Sequence, residues 1–279
     1  MWTPAALRSE GHQWSGQIWR GVESQAKAST MRLTDSLEEQ ELLENVLERS
    51  KPNIPAECKG LHYLLATPFR YTPYPHGSRF RRAGQREGAF YGSETVETVI
   101  AELCFYRLLF FAESPGTLLP TVPVEHTIFA VDCAAELSLN LNVPPLNQYS
   151  NLWRHPVNYG PCQDLADKAR QSGIQAIRYC SVRDPKGGTD CALLSASAFA
   201  DPNPRSLQTW HVFPGTYSVR VWCESPRVAY EFVPDDFSND PRLMPIRQPP
   251  PTPLRHRGQP PNRDGAPGAR RRKAPPPGP

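Results

Sequence analysis

The longest stretch of this chain at helical spacing is flanked by short apolar runs that lack it. Val96, Val99, Ile100 and Leu103 recur at i, i+3, i+4 and i+7, the signature of a helix with one buried face. Ser93 is read as its N-cap, with Glu94 and Glu97 in the first turn and an end near residue 111. Around it, residues 62–65, 69–71, 89–91, 127–131, 174–179 and 192–194 read as short extended pieces. Tyr217, Val219 and Val221 alternate, as do Val228, Tyr230 and Phe232, and the Glu224-Ser225-Pro226 turn between them predicts a terminal hairpin. Helices are also expected at 36–49 and at 162–172. The first opens with the capping box Ser36-x-x-Glu39, and its Leu42, Leu43, Val46 and Leu47 are expected to pack on the main domain. The second turns Leu165, Ala166 and Ala169 inward and stops at Gly173. Helices and strands mix without a βαβ rhythm, so the fold class is α+β.

Composition bounds the folded part. Residues 248–279 hold eleven prolines and seven Lys or Arg against the single acid Asp264, so they read as a disordered Pro/Arg-rich tail. That tail carries about +6 of a net charge of +3, which leaves the rest slightly acidic and gives no argument for nucleic-acid binding. Residues 1–57 read as an N-terminal extension with one helix, since Trp2, Trp14 and Trp19 share no period. Residues 58–236 form the expected main domain. The seven cysteines lack C-x-x-C spacing, which argues against a disulfide frame or zinc site and fits the cytoplasm. No apolar run is long enough for a membrane span and no secretory h-region is present.

Four clusters carry candidate chemistry: Phe69-Arg70-Tyr71, Ser78-Arg79-Phe80, Tyr91 with Glu102, and the run from Arg178 to Asp184 containing Ser181 and Arg183. Guanidinium groups beside aromatic residues suit phosphate or carboxylate. Glu102 falls off the apolar stripe, on the side of Thr95 and Thr98; by helical position alone it reads as a solvated acid. Ser181 at a strand end equally reads as a turn residue. No G-x-S-x-G, G-x-G-x-x-G or P-loop pattern occurs, and the histidines show no metal-ligand spacing.

Taken in order, these clusters resemble the RES-domain family, the toxins of RES–Xre toxin–antitoxin pairs. Phe69-Arg70-Tyr71 matches its aromatic-Arg-Tyr step, and Ser78-Arg79-Phe80 a Gly-Arg-Trp-like step. Tyr91, Thr95 and Ala101-Glu102 match the strand and helix that follow. Gln163-Asp164-Leu165-Ala166 leads into a Gly173–Arg183 run that resembles Gly-Ile-x-Gly-Ile-x-Tyr-x-Ser-x-Arg, with Ala176 at the second glycine. The chain departs from the pattern at Ser78 and Phe80. It also has Gly160-Pro161 where some members place Ser or Thr, so the family serine corresponds to Ser181 or to a site lost here.

The resemblance implies a fold like that of ADP-ribosyltransferase toxins and cleavage of the nicotinamide–ribose bond of NAD+. The bond would break by phosphorolysis or hydrolysis, with inorganic phosphate a possible co-substrate and no resident cofactor or metal. The implied catalytic residues are Glu102, Arg70 and Ser181; Tyr71, Arg79, Tyr91 and Arg183 would contact NAD+. The implied partner is a small Xre-like antitoxin, through which alone nucleic acid would be met. Two alternatives stand beside this: mono-ADP-ribosylation of a protein, and a non-enzymatic module binding through the basic tail.

Overall fold

The computed structural model describes residues 2–24, 33–70 and 75–246. In chain order, α1 (Pro4–Ser9) leads into β1 (His12–Glu23), then α2 (Leu37–Ser50), α3 (Tyr63–Arg70), β2 (Phe90–Ser93) and α4 (Val96–Glu113). There follow β3 (Val124–Asn140), the short α5 (Ser150–Trp153), α6 (Gly160–Gln171), β4 (Ala176–Cys180), β5 (Thr189–Leu193), β6 (Ser206–Pro214), β7 (Val219–Glu224) and β8 (Arg227–Phe232). The strands form one sheet in the order β1-β2-β5-β4-β3-β6-β7-β8. β1 also pairs with β3 along most of its length, from His12↔Ser138 to Glu23↔His126. Strands β1, β2, β5, β4 and β3 therefore close into a ring, and β6 to β8 extend from the free edge of β3. Among the described strands β3 and β4 run parallel and the other pairs antiparallel. The mixed α+β class read from the sequence is what is observed.

β3 organises the core because successive residues point to opposite faces. Ile128 packs with Val99, Ile100 and Phe105 of α4 and with Trp210 and Val212 of β6. Phe129 and Val131 pack with Phe90 of β2 and with Leu65 and Phe69 of α3. Helices α3 and α4 thus lie on opposite faces of β3. A third cluster seats Leu165, Ala166 and Ala169 of α6 on Leu139, Ile177 and Ala192. Gly173, at φ +78°, ends α6 as expected, with the Ile174 N–H returning to the Ala169 carbonyl.

Several expectations change. Residues 63–65 and 69–70 are not extended: Tyr63–Arg70 is helical, because Leu64, Leu65, Ala66 and Phe69 all bury against the Phe90–Phe129 side of the sheet. Burial there outweighs the helix-breaking tendency of Pro68. Residues 1–57 are not a single-helix extension. They supply α1, α2 and β1, and β1 is integral to the ring, so residue 58 is not a structural boundary. Helix α2 forms on its Ser36 cap, the Glu39 N–H donating to Ser36 Oγ at 3.1 Å, but Leu42, Val46 and Leu47 stay exposed instead of packing. Ser93 ends β2, and Thr95 caps α4, its Oγ1 accepting from the Thr98 N–H at 3.2 Å. The tail at 248–279 lies outside the described residues.

Candidate active site

Only two residues separate the end of β2 from the start of helix α4, so its first turns sit directly over the sheet. Burial runs around much of it, taking in Thr98, Ala101, Cys104 and Phe105 as well as Val99 and Ile100. Thr98 and Glu102, one turn apart, share a face. That face meets the loop that follows β4. Ser181 Oγ donates to Glu102 Oε1 at 2.6 Å and accepts from the backbone N–H groups of Arg183 and Asp184, each at 3.2 Å. One turn earlier, Thr98 Oγ1 donates to Asp184 Oδ2 at 2.9 Å, and the same oxygen accepts from the Gly188 N–H at 3.1 Å. Gly188 permits this approach: a Cβ there would stand 2.1 Å from Thr98 Oγ1 and 2.5 Å from Asp184 Oδ2. Ser181 and Glu102, named separately from the sequence, are therefore bonded partners.

Asp190 is a member of this cluster that sequence reasoning missed. It lies in β5 opposite Ser93 of β2 and Tyr179 of β4, and it is only 4% exposed. Ser93 Oγ donates to Asp190 Oδ1 at 2.6 Å, and the carboxyl also meets Glu102 and Ser181. Burial, and then the charge of Glu102, hold this carboxyl well above the usual carboxylate range. A signal was present in the sequence: a lone acid directly ahead of the apolar run Cys191–Leu194.

Arg79 and Tyr91 come to the neighbouring wall. The Tyr91 hydroxyl accepts from the Phe80 N–H at 3.0 Å and shares a 2.8 Å hydrogen bond with Ser78 Oγ, which ties β2 to the Ser78–Phe80 turn. Burial raises the Tyr91 phenol above its ordinary value. Arg79 Nη1 donates to the carbonyls of Trp153 (2.7 Å) and His155 (3.1 Å), and its guanidinium lies 4.7 Å over the Tyr159 ring. Burial opposes the Arg79 charge, but Tyr179, Cys162 and Tyr159 more than offset it. Phe80, where a tryptophan was expected, is fully buried edge-on to Tyr179 at 4.8 Å. Tyr179 in turn feels Asp190, Glu102, Tyr91 and Arg79, so these groups form one electrostatic neighbourhood.

Two arginines are not presented as expected. Arg183 is 2% exposed. Its Nη2 donates to the Pro156 carbonyl at 2.5 Å and the Tyr159 hydroxyl at 3.3 Å, and its Nη1 lies 2.7 Å from Asp240 Oδ2. The guanidinium also covers the Phe105 ring at 4.0 Å. These partners make Arg183 a clamp behind the Ser181 loop. Arg70, at the end of α3, donates to the Pro52 carbonyl (2.7 Å) and to Glu48 of α2 (2.8 Å), and these bonds do not bring it to Glu102. Tyr71 lies outside the described residues.

Glu102 keeps partial access to solvent, while Ser181 and Asp190 are closed off. Surface hollows beside Trp222 and Tyr230, and beside Phe69 and Arg170, lie apart: neither is lined by Glu102, Ser181 or Asp190. Among the described residues no His, Cys, Asp and Glu group is arranged to hold a metal ion, and no helix is long and apolar enough to cross a membrane. All seven cysteines are free. Chemically, the site offers a carboxylate held by a serine hydroxyl, backed by a buried second carboxyl and flanked by an arginine and tyrosines. Such a group stabilises positive charge developing on a bound ligand.

Comparison with known proteins bears on this arrangement. The family model described as "RES domain" matches residues 54–213. No curated protein matches the chain. Among solved structures, the chain is similar to one described as the crystal structure of the M. tuberculosis MbcT–MbcA toxin–antitoxin complex. The identity is 12% and the TM-score 0.43, with 84% of this chain and 94% of that one covered.

Proposed function

The chain belongs to the RES-domain family, and on that premise we propose that it is an NAD+-degrading toxin that cleaves the nicotinamide–ribose bond. The observation that carries this reading is the 2.6 Å hydrogen bond from Ser181 to Glu102, in a cluster that also holds Arg79 and Tyr91. Nicotinamide departs neutral, so no general acid is needed. Positive charge instead builds on the ribose as the bond breaks, and a fixed carboxylate lowers that barrier, as in glycoside hydrolysis. Glu102 is assigned to the ribose, with Ser181 fixing its carboxylate. Arg79 is assigned to the phosphates, and Tyr91 and Tyr71 to ring contacts. Arg70 keeps its assignment to a phosphate on one condition, that the ligand draws it away from Glu48. That pair is solvent-exposed on the Glu48 side, where ion pairs are weak.

The acceptor is inorganic phosphate or water, drawn with NAD+ from the cytoplasm, and the partner is a small Xre-like antitoxin that blocks the site. The test is to incubate the purified protein with NAD+, with and without phosphate, and follow nicotinamide and the sugar product. A phosphate-dependent rate identifies phosphorolysis; label retained on protein identifies transfer instead. Glu102→Gln should fold as the wild type and lose about 100-fold or more of the rate, the scale of removing one preorganised electrostatic group. Wild-type activity in that variant, or no NAD+ loss by the folded wild type, overturns the reading.

A further inference from the structure

We propose that Asp190 is a positioning residue of this site: its carboxyl stays protonated and donates that proton to Glu102, so the pair carries one negative charge, resident on Glu102. The catalytic consequence rests on the function proposed above; the location of the proton does not.

The geometry separates the two carboxyls. Asp190 is inside the sheet, and Oδ1 already accepts from Ser93 Oγ at 2.6 Å. Glu102 sits on the helix with partial access to solvent, and the Ser181 hydroxyl donates to it. Two carboxylates in contact in a buried place cannot both ionise cheaply, and the better-solvated one takes the charge. The groups that face Asp190 are Glu102 from α4, Ser93 from β2, Ser181 from the loop after β4, and Tyr179 from β4, with Cys180 and Cys191 beside it. None of these is a cation that would hold it ionised; Arg79 acts on Tyr179. The burial and the Glu102 charge that raise the Asp190 carboxyl agree with this assignment.

The arrangement has a use. A neutral carboxyl donating from inside the sheet fixes the plane of the Glu102 carboxylate, while Ser181 fixes it from the loop side. It adds no second negative charge that would repel an anionic nucleotide.

The experiment compares wild type, Asp190→Asn, Asp190→Ala and Glu102→Gln. Asparagine keeps the shape and a donor toward Glu102 but cannot ionise. A carboxyl raised in the folded state contributes stability that is full below its unfolded pKa and is lost as pH rises through its folded value. Wild type should therefore lose melting temperature toward alkaline pH more steeply than D190N. D190N should melt higher at pH 8, with the gap closing as pH falls to the ordinary Asp range near 4. Carbon-13 NMR should show one Asp carboxyl protonated at pH 7, absent in D190N and titrating lower in E102Q. In the NAD+ assay D190A should lose about 10- to 100-fold, the scale for outer-shell partners of a catalytic group, and D190N should restore most of it. Matching pH–stability curves for wild type and D190N, or a D190N rate as low as that of E102Q, overturn the proposal. If wild type leaves NAD+ intact, the stability and NMR arms still locate the proton, and only the proposed activity fails.

Discussion

Arg183 and Arg70 present the same cue in the sequence, an arginine close to aromatic or hydroxyl residues in a motif, yet they end in opposite surroundings. Arg183 is sealed beneath the Ser181 loop with Asp240, whose own exposure is 0%, and with the face of Phe105. Arg70 reaches across to Glu48, whose side chain is 54% exposed. The first ion pair holds the site together, because a buried charge cannot lose its partner cheaply. The second is a surface contact that a stronger anion can displace. Residue type names a capacity; burial decides whether that capacity serves scaffold or ligand.

The contrast breaks most readily at Asp240. Asp240→Ala leaves a buried guanidinium without its counter-charge and should lower unfolding free energy by about 3–5 kcal/mol in denaturant titrations. The double variant Arg183→Met/Asp240→Leu should recover most of that loss, and equal instability in both would contradict the clamp. Burial works against the Asp240 charge, but hydrogen bonds from Arg242 and the charge of Arg183 outweigh it, so its carboxyl lies below the usual value. A lowered carboxyl contributes stability that is present above the unfolded Asp value, near 4, and disappears as pH falls through the folded one. Acid titration of wild type against Asp240→Asn should show that component missing in the variant. Gly188→Ala, which forces a methyl onto Thr98 Oγ1, should cost about 1–3 kcal/mol as an overpacking change, read by thermal melts. At the small end, Glu48→Ala should leave the melting temperature unmoved while freeing Arg70. A lowered KM for NAD+ in that variant would support Arg70 as a phosphate contact; a marked fall in stability would erase the contrast.

Legibility in the sequence followed how local the cause was. The helix α4, the Gly173 stop of α6 and the hairpin of β7 and β8 rest on spacing and turn chemistry within a few residues, and they appear as read, although the buried face of α4 is wider than its stripe and leaves Val96 and Leu103 only partly covered. Glu102 was placed correctly off the stripe beside Thr98. Its company was not visible, because Ser181 and Asp190 reach it through sheet pairing. β1 was missed because Gly16 leaves a gap between Trp14 and Ile18, and Ile18 and Trp19 are consecutive, so its few apolar residues mark no single face; the pairing with β3 makes it a strand. The role of Arg183 was hidden because Asp240 lies beyond β8 in the chain. Helix α3 needed the Phe90–Phe129 surface to overrule Pro68.

The pairing of β1 with β3 also sets an order of events during synthesis. The Ser138 hydroxyl bonds the His12 carbonyl across 126 residues of sequence. β1 therefore waits for its main partner until β3 has been made, and such distant pairings close slowly. The ring further needs β4 and β5, and Arg183 needs Asp240. A chain halted partway carries Glu102 on a helix with neither Ser181 nor Asp190 to hold it. The complete carboxylate cluster thus assembles only after β4, β5 and the Asp240 segment have been made.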